Sequence, residues 1–286
     1  MTFPPFVYGT TRLGDESIPR ADRIAVAQKA MREVGFLHTS DQYGDALDVL
    51  REAAKGEMPP VIVKIGWESV AQIREGVVAQ NARLGIESMA VGQLCPGGAF
   101  ADSIQNGGGE EILVLREEGL VGRFVMETWP WTSAVPMGAI ENGTLDRIAD
   151  ALILYLNPLQ RFATNELWDL VRERGIKIVA MRTTCGGSLE RLKTGEDYLA
   201  PRAREVEPIF ARSGCASWPE FCARFVVGYE NVLTTVGATG SPAHLDTLIE
   251  ATRAPQPLDP EIHAEIEALH RRWSDEFDRH AAPWTM

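Results

Sequence analysis

Phe36-Leu37-His38-Thr39-Ser40-Asp41-Gln42-Tyr43-Gly44 and, further on, Val61-Ile62-Val63-Lys64-Ile65-Gly66-Trp67 are the segments on which the fold turns. Each reads as a short apolar strand that delivers a polar side chain near its C-terminal end. The first brings a tyrosine just beyond its end, the second carries a lysine. If the strands run as parallel neighbours, phenol and ammonium converge on one mouth. A lysine beside a tyrosine stabilises the phenolate and lowers its pKa, which makes the phenol a usable acid or base. A lysine inside an apolar strand is costly unless it is paired or functional, so Lys64 points to chemistry.

Outward from these segments, apolar runs alternate with helical patterns. Val7 to Leu13 reads as a strand punctuated by Gly9 and Gly14, and Ala21 to Val34 as a helix closed by Gly35. Further helices are expected at Ala46–Lys55, Val70–Leu84, Glu110–Glu118, a stretch closing at Leu145–Ala149, Asn165–Arg174 with Thr164 as N-cap, Trp218–Tyr229, and one from Pro242 with Ser241 as N-cap. Strands are expected at Met89–Leu94, Val121–Met126, Ala151–Leu156, Ile176–Met181 and Val232–Val236. Ser188 to Gly214 reads as irregular, Gly107-Gly108-Gly109 as a flexible loop, and Asp259–Phe277 as a final surface helix. Apolar runs without polar alternation suit strands buried on both faces, as in a parallel sheet. About eight runs with eight helices predict one (β/α)8 TIM barrel over residues 1–286, with its active site at the C-terminal strand ends. An open doubly wound sheet is the alternative, but no GxGxxG follows the first strand.

The chain has 286 residues and a formal net charge of −12, with no run of Lys and Arg. That balance argues against nucleic-acid and anionic-membrane partners, which need a basic face. Cys95, Cys185, Cys215 and Cys222 show neither CxxC nor metal-ligand spacing and read as scattered reduced thiols. No signal peptide or membrane-length apolar run is evident, so the expectation is a soluble cytoplasmic protein acting on a small molecule, with no metal.

The polar residues at the expected strand ends are His38 and Tyr43, Lys64, Cys95, Glu127, Asn157, and Arg182 with Thr183 and Thr184. In a barrel these face one pocket, with Trp67, Trp129 and Trp131 as aromatic walls for a small organic ligand. Plainer readings stand beside these. His38 suits a satisfied core histidine, Cys95 inert packing, and Glu127 with Arg182 an ion pair across the mouth.

At these residues the sequence resembles the aldo-keto reductase superfamily over nearly its whole length. His38–Gly44 falls where that family has D-T-A-x-x-Y-G, and Val63-Lys64 where it has its catalytic lysine. Ala82–Ser88 followed by Val91–Pro96 resembles R-L-G-x-D-Y-x-D-L-x-x-x-H. Glu173–Ile176 with Val179-Ala180 matches the step into the family's seventh strand, and Val236–Ala238 with Ser241–Leu245 the segment that holds the adenosine phosphate. The resemblance implies a (β/α)8 barrel that binds NADPH and a Tyr-Lys-Asp-His tetrad that protonates a carbonyl as hydride arrives. Tyr43 and Lys64 keep their places. His38 stands at the aspartate position and Cys95 at the histidine position. The Ser-Asn that grips the carboxamide is Glu127-Thr128, the strand-six glutamine falls near Ile153, and S-P-L becomes Arg182-Thr183-Thr184. The R-x-x-E-N run becomes His244–Leu248, without a fixed cation.

Three readings follow. The first is a cofactor-independent acid/base enzyme using Tyr43 and Lys64, an isomerase or lyase next to a carbonyl, with Glu127 as proton acceptor. Lys64, without its aspartate, would then titrate low enough for Schiff-base chemistry, and His38 would activate a Cys95 thiolate. The second is an NADPH-dependent carbonyl reductase with divergent contacts, Gly237 and Ser241 among them. The third is a non-catalytic binding protein on the same fold.

Overall fold

The computed structural model describes residues 2–66, 69–129 and 132–280. Its strands are β1 (Phe6–Gly9), β2 (Leu37–Thr39), β3 (Val61–Ile65), β4 (Met89–Leu94), β5 (Val121–Glu127), β6 (Leu152–Asn157), β7 (Gln160–Arg161), β8 (Ile178–Met181) and β9 (Val232–Ala238). All pair in parallel except β7, which folds back antiparallel on β6. The pairings β5–β6 and β1–β9 close the parallel strands on themselves, in the order β1-β2-β3-β4-β5-β6-β8-β9. This is the eight-stranded (β/α)8 barrel expected from the alternation.

Side chains alternate across a strand, so the sheet carries two apolar layers. Tyr8, Leu37, Val61, Val63, Phe124, Met126, Leu152 and Leu154 face outward into the core shared with the helices. Val7, Phe36, Ile62, Val91, Val125, Ile153, Val179 and Val236 form a separate cluster inside the barrel. Burial on both faces is why the strands show no polar alternation. One step of two residues up from that inner layer the side chains turn polar. Phe36 leads to His38, Ile62 to Lys64, Val91 to Gln93 and then Cys95, Val125 to Glu127, and Ile153 to Tyr155. The site is thus a polar layer resting on an apolar plug.

The helix ends follow local chemistry. Thr164 Oγ accepts from Leu167 N at 3.3 Å and Ser241 Oγ from His244 N at 3.4 Å, the two caps expected from sequence. Gly85 and Gly175 end their helices in the left-handed conformation. Four points differ from expectation. The first strand stops at Gly9, and Thr11–Gly14 is a 3-10 turn, because Thr10 Oγ1 turns in to donate to Thr39 Oγ1 at 2.7 Å. Gly98–Gln105 is a helix where the sequence suggested no element. The segment read as irregular contains helices Leu189–Lys193 and Leu199–Arg212. Pro201 sits in the first turn of the second, where a missing N–H costs little, and Leu199, Ala203, Val206 and Ile209 give it a buried face. The last helix, Pro260–His280, is no simple surface helix: Ile266 and Trp273 are buried along it. Among the described residues no helix is long and apolar enough to cross a membrane.

One close approach seats Tyr43. The backbone of the 3-10 turn presses on the loop after β2, so that a Cβ on Gly14 would lie 2.0 Å from the Tyr43 carbonyl oxygen. Gly44 opposes it with a left-handed φ of +54°. Arg23, buried, donates to Leu13 O at 2.7 Å and pairs with Asp45, tying turn and loop together. Backbone cannot yield as a side chain can, so Gly14→Ala is expected to cost about 1–3 kcal/mol. Chemical denaturation reads that loss, and unchanged stability would show that the contact is not confining.

Candidate active site

The polar layer is organised by charge. Lys64 Nζ lies 3.2 Å from Glu127 Oε1, with side chains 12% and 3% exposed. Cys95 Sγ lies 2.6 Å from the other carboxylate oxygen. Strand register produces this, since β3 and β4 pair Lys64 with Gln93, and β4 and β5 pair Gln93 with Val125. The ammonium also sits 5.9 Å from the centre of the Trp129 ring. Burial alone would depress the Lys64 pKa, but the acidic groups around it, the Glu127 carboxylate foremost, outweigh it and hold the lysine above its ordinary value. Lys64 therefore has a counter-ion, supplied by β5 rather than β2, and the Schiff-base expectation is corrected: an amine that stays protonated is no nucleophile.

Tyr43 reverses another expectation. Lys64 does favour its phenolate, but burial of the phenol is the larger effect and pushes the pKa up to about 12. At neutral pH Tyr43 is a proton-bearing hydrogen-bond donor. His38 is buried, its Nε2 2.6 Å from Gln93 Oε1, and its ring centre 6.4 Å from that of Tyr43. Burial brings the imidazole pKa down to about 4, with Lys64 acting in the same direction and the Gln93 bond against it. Cys95 is pushed well above its ordinary value by burial and by Glu127. The expected His38-activated thiolate is therefore corrected: the two side chains have different partners and both are neutral.

The expected Glu127–Arg182 pair is also absent. Arg182 lies over the Tyr155 ring, 5.4 Å from its centre, with a left-handed φ of +56°. Asn157 Nδ2 donates to the Arg182 carbonyl oxygen at 3.1 Å and so holds the loop rather than facing a ligand. Trp129, Tyr155 and Phe162 pack ring to ring, 4.6–5.1 Å between centres, and make the aromatic wall. Trp67 and Trp131 lie outside the described residues. Reasoning from strand ends missed Gln93 and Tyr155. Both lay within reach of the period-two rule, two residues above Val91 and Ile153. Among the described residues no group of three or more His, Cys, Asp and Glu is placed to hold a metal.

The residues present do not fit the nicotinamide cofactor implied by the resemblance. Where a carboxamide would need neutral partners stands the Glu127 carboxylate, already bound to Lys64 and Cys95, and Ile153 is apolar and fully buried. At the phosphate end Lys29 is shared between Asp246 at 2.8 Å and Glu33 at 2.9 Å, two carboxylates to one ammonium. Ser241 Oγ is engaged as a helix cap. Gly237 is buried in β9, and a Cβ there would lie 3.1 Å from the Phe6 ring.

Two substitutions test this electrostatic picture. Glu127→Gln leaves a buried ammonium without its partner and should cost about 3–5 kcal/mol at pH 7, most of it regained in Lys64→Met/Glu127→Leu. Because the Lys64 pKa is raised on folding, the pair's contribution is full below the unfolded lysine value of about 10.4 and fades only as pH rises through the folded one. The wild-type contribution of the pair should thus hold constant from pH 7 to about 10, and the deficit of Glu127→Gln should narrow as pH rises through the lowered Lys64 value of the variant. For His38 the folded pKa is depressed, so stability is intact above about pH 6.5 and falls as pH drops toward 4, by about 3 kcal/mol in all. Urea unfolding of His38→Gln over that window should give a shallower slope than wild type, and an equal slope would refute the burial argument.

No protein-family model and no curated protein matches the chain. Solved structures do match. An aldo-keto reductase from Bacillus halodurans in its holo form is similar with a TM-score of 0.73 at 20% identity, covering 93% of this chain and 95% of that one. An aldo/keto reductase from Klebsiella pneumoniae, in complex with NADP and acetate, gives 0.69 at 17% identity over 94% and 92%. An aldo-keto reductase from a deep-sea metagenome gives 0.67 at 14% identity over 95% and 93%. At these identities the likeness is one of architecture: the chain has the (β/α)8 fold of the aldo-keto reductases.

Proposed function

We propose that this chain is a divergent aldo-keto-reductase-type enzyme that moves protons next to the carbonyl of a small molecule without a nicotinamide. The observation that carries the reading is the Lys64–Glu127 pair, which keeps the ammonium charged in a buried site beside a protonated Tyr43. Two donors then converge on one oxygen. The Tyr43 O–H and the Lys64 ammonium hold a substrate carbonyl and stabilise the negative charge that develops on it. Glu127 Oε2 takes the proton from the adjacent carbon as the Cys95 thiol turns aside. The C–H electrons form the C=C bond and the carbonyl π pair passes to oxygen. Return of the proton to the same or the neighbouring carbon completes exchange or isomerisation, and no electrons leave the substrate.

Hydride transfer is the second reading, favoured by the NADP held in the Klebsiella structure. Calorimetric titration with NADPH separates the two: micromolar binding with ketone-dependent loss of NADPH absorbance would overturn the proton-transfer reading. Direct support would come from exchange of butanone α-protons in heavy water, followed by NMR. The wild type should accelerate exchange, and Tyr43→Phe and Lys64→Met should each slow it on the order of 100-fold. Since Lys64 and Tyr43 both keep their protons well into alkali, the rate should not fall before about pH 10. A decline centred near neutrality would mean that a different group sets the rate.

A further inference from the structure

Arg182 is conspicuous in this site for what it lacks. Among the described residues no carboxylate lies within ion-pair distance of its guanidinium, while the site's buried carboxylate, Glu127, is spent on Lys64. The guanidinium of the partly buried Arg182 rests over Tyr155, on the same aromatic wall whose other member, Trp129, lies near the Lys64 ammonium. The two cations therefore stand at opposite ends of a Trp129–Tyr155 ledge. Lys64 is neutralised by Glu127, and among the described residues no carboxylate does the same for Arg182.

The backbone at Arg182 strengthens the point. Its φ of +56° is a conformation that costs a side-chain-bearing residue about 1–3 kcal/mol and that glycine adopts freely. The conformation is kept in place from outside the residue, by the Asn157 bond to its carbonyl oxygen. Beyond Thr183 and Thr184, Cys185, Gly186 and Gly187 also take positive φ. A long cation is thus carried on a costly backbone and laid across an aromatic face, at the mouth of a chain of net charge −12 that otherwise repels anions.

We infer that Arg182 is a carboxylate anchor and that the substrate is a small oxo acid, its carboxylate on the guanidinium and its carbonyl at Tyr43 and Lys64. The inference rests on the reading of Tyr43 and Lys64 as the carbonyl end. A planar guanidinium binds carboxylate through two parallel hydrogen bonds made by its edge, and a guanidinium that rests on an aromatic ring keeps that capacity. The ledge between supports the short carbon chain.

Levulinate and its uncharged methyl ester test this as a matched pair, with binding measured by calorimetry. The wild type should bind levulinate at least about tenfold more tightly than the ester. Arg182→Asn, which tolerates the left-handed backbone, should abolish that preference and leave ester binding unchanged. Arg182→Lys should retain part of it and so guard against a folding artefact. Equal affinity of the wild type for both probes, a preference that survives in Arg182→Asn, or failure of levulinate to bind would each overturn the assignment. Exchange of the α-protons of the bound probes is read separately by NMR: loss of exchange with the preference intact would sink the proton-transfer reading and leave the anchor standing.

Discussion

The rest of the site depends on one buried ion pair. An ammonium in an apolar barrel loses its hydration and survives as a charge only if a carboxylate replaces the water. Glu127 does this at 3.2 Å, from β5, across the strand that separates it from Lys64. With the charge fixed there, the states of the neighbours follow. The Tyr43 phenol is too buried for one ammonium to ionise it, the Cys95 thiol is held protonated against the carboxylate, and His38, pressed beside a cation, stays neutral. A site of protonated donors around a single internal pair is suited to polarising a carbonyl, and unsuited to thiolate or amine nucleophiles.

The same pair accounts for how the polar layer keeps a charged lysine with a histidine at position 38. The resemblance places the lysine's counter-ion on the second strand, where this chain has His38, neutral and bound to Gln93. Moving the negative charge to β5 preserves the ammonium but puts a carboxylate where a carboxamide would be gripped. The two changes belong together physically. A histidine at position 38 alone would leave Lys64 uncompensated, and a glutamate at 127 alone would crowd a second carboxylate into the layer.

How legible this was in the sequence differs by level. The barrel was plain from unalternating apolar runs such as Val61–Ile65 and from stops such as Gly85 and Gly175, because burial on both faces and left-handed caps leave local signatures. Tyr43, Lys64 and Glu127 were found at strand ends for the same reason. Which carboxylate served Lys64 was not legible, since it turns on the register of three strands and not on any neighbour in sequence. Gln93 and Tyr155 were hidden by attention to strand ends, although two-residue alternation pointed at both. The helix Leu199–Arg212 was masked by its two prolines, Pro201 in the first turn and Pro208 in the interior, both of which lower helical propensity locally. The direction of the Tyr43 shift was missed because sequence reveals charges more readily than burial, and here burial is the larger effect.

The central claim is that Glu127 keeps Lys64 as an ammonium, and the most direct measurement is the titration of Lys64 itself. Its side-chain carbon or nitrogen shift, assigned by comparison with Lys64→Met, can be followed by NMR from neutral pH upward. The account predicts that Lys64 remains protonated past the ordinary lysine value of about 10.4, and that Glu127→Gln brings the titration below it. A wild-type Lys64 that loses its proton near neutrality would contradict the account and return the site to amine chemistry.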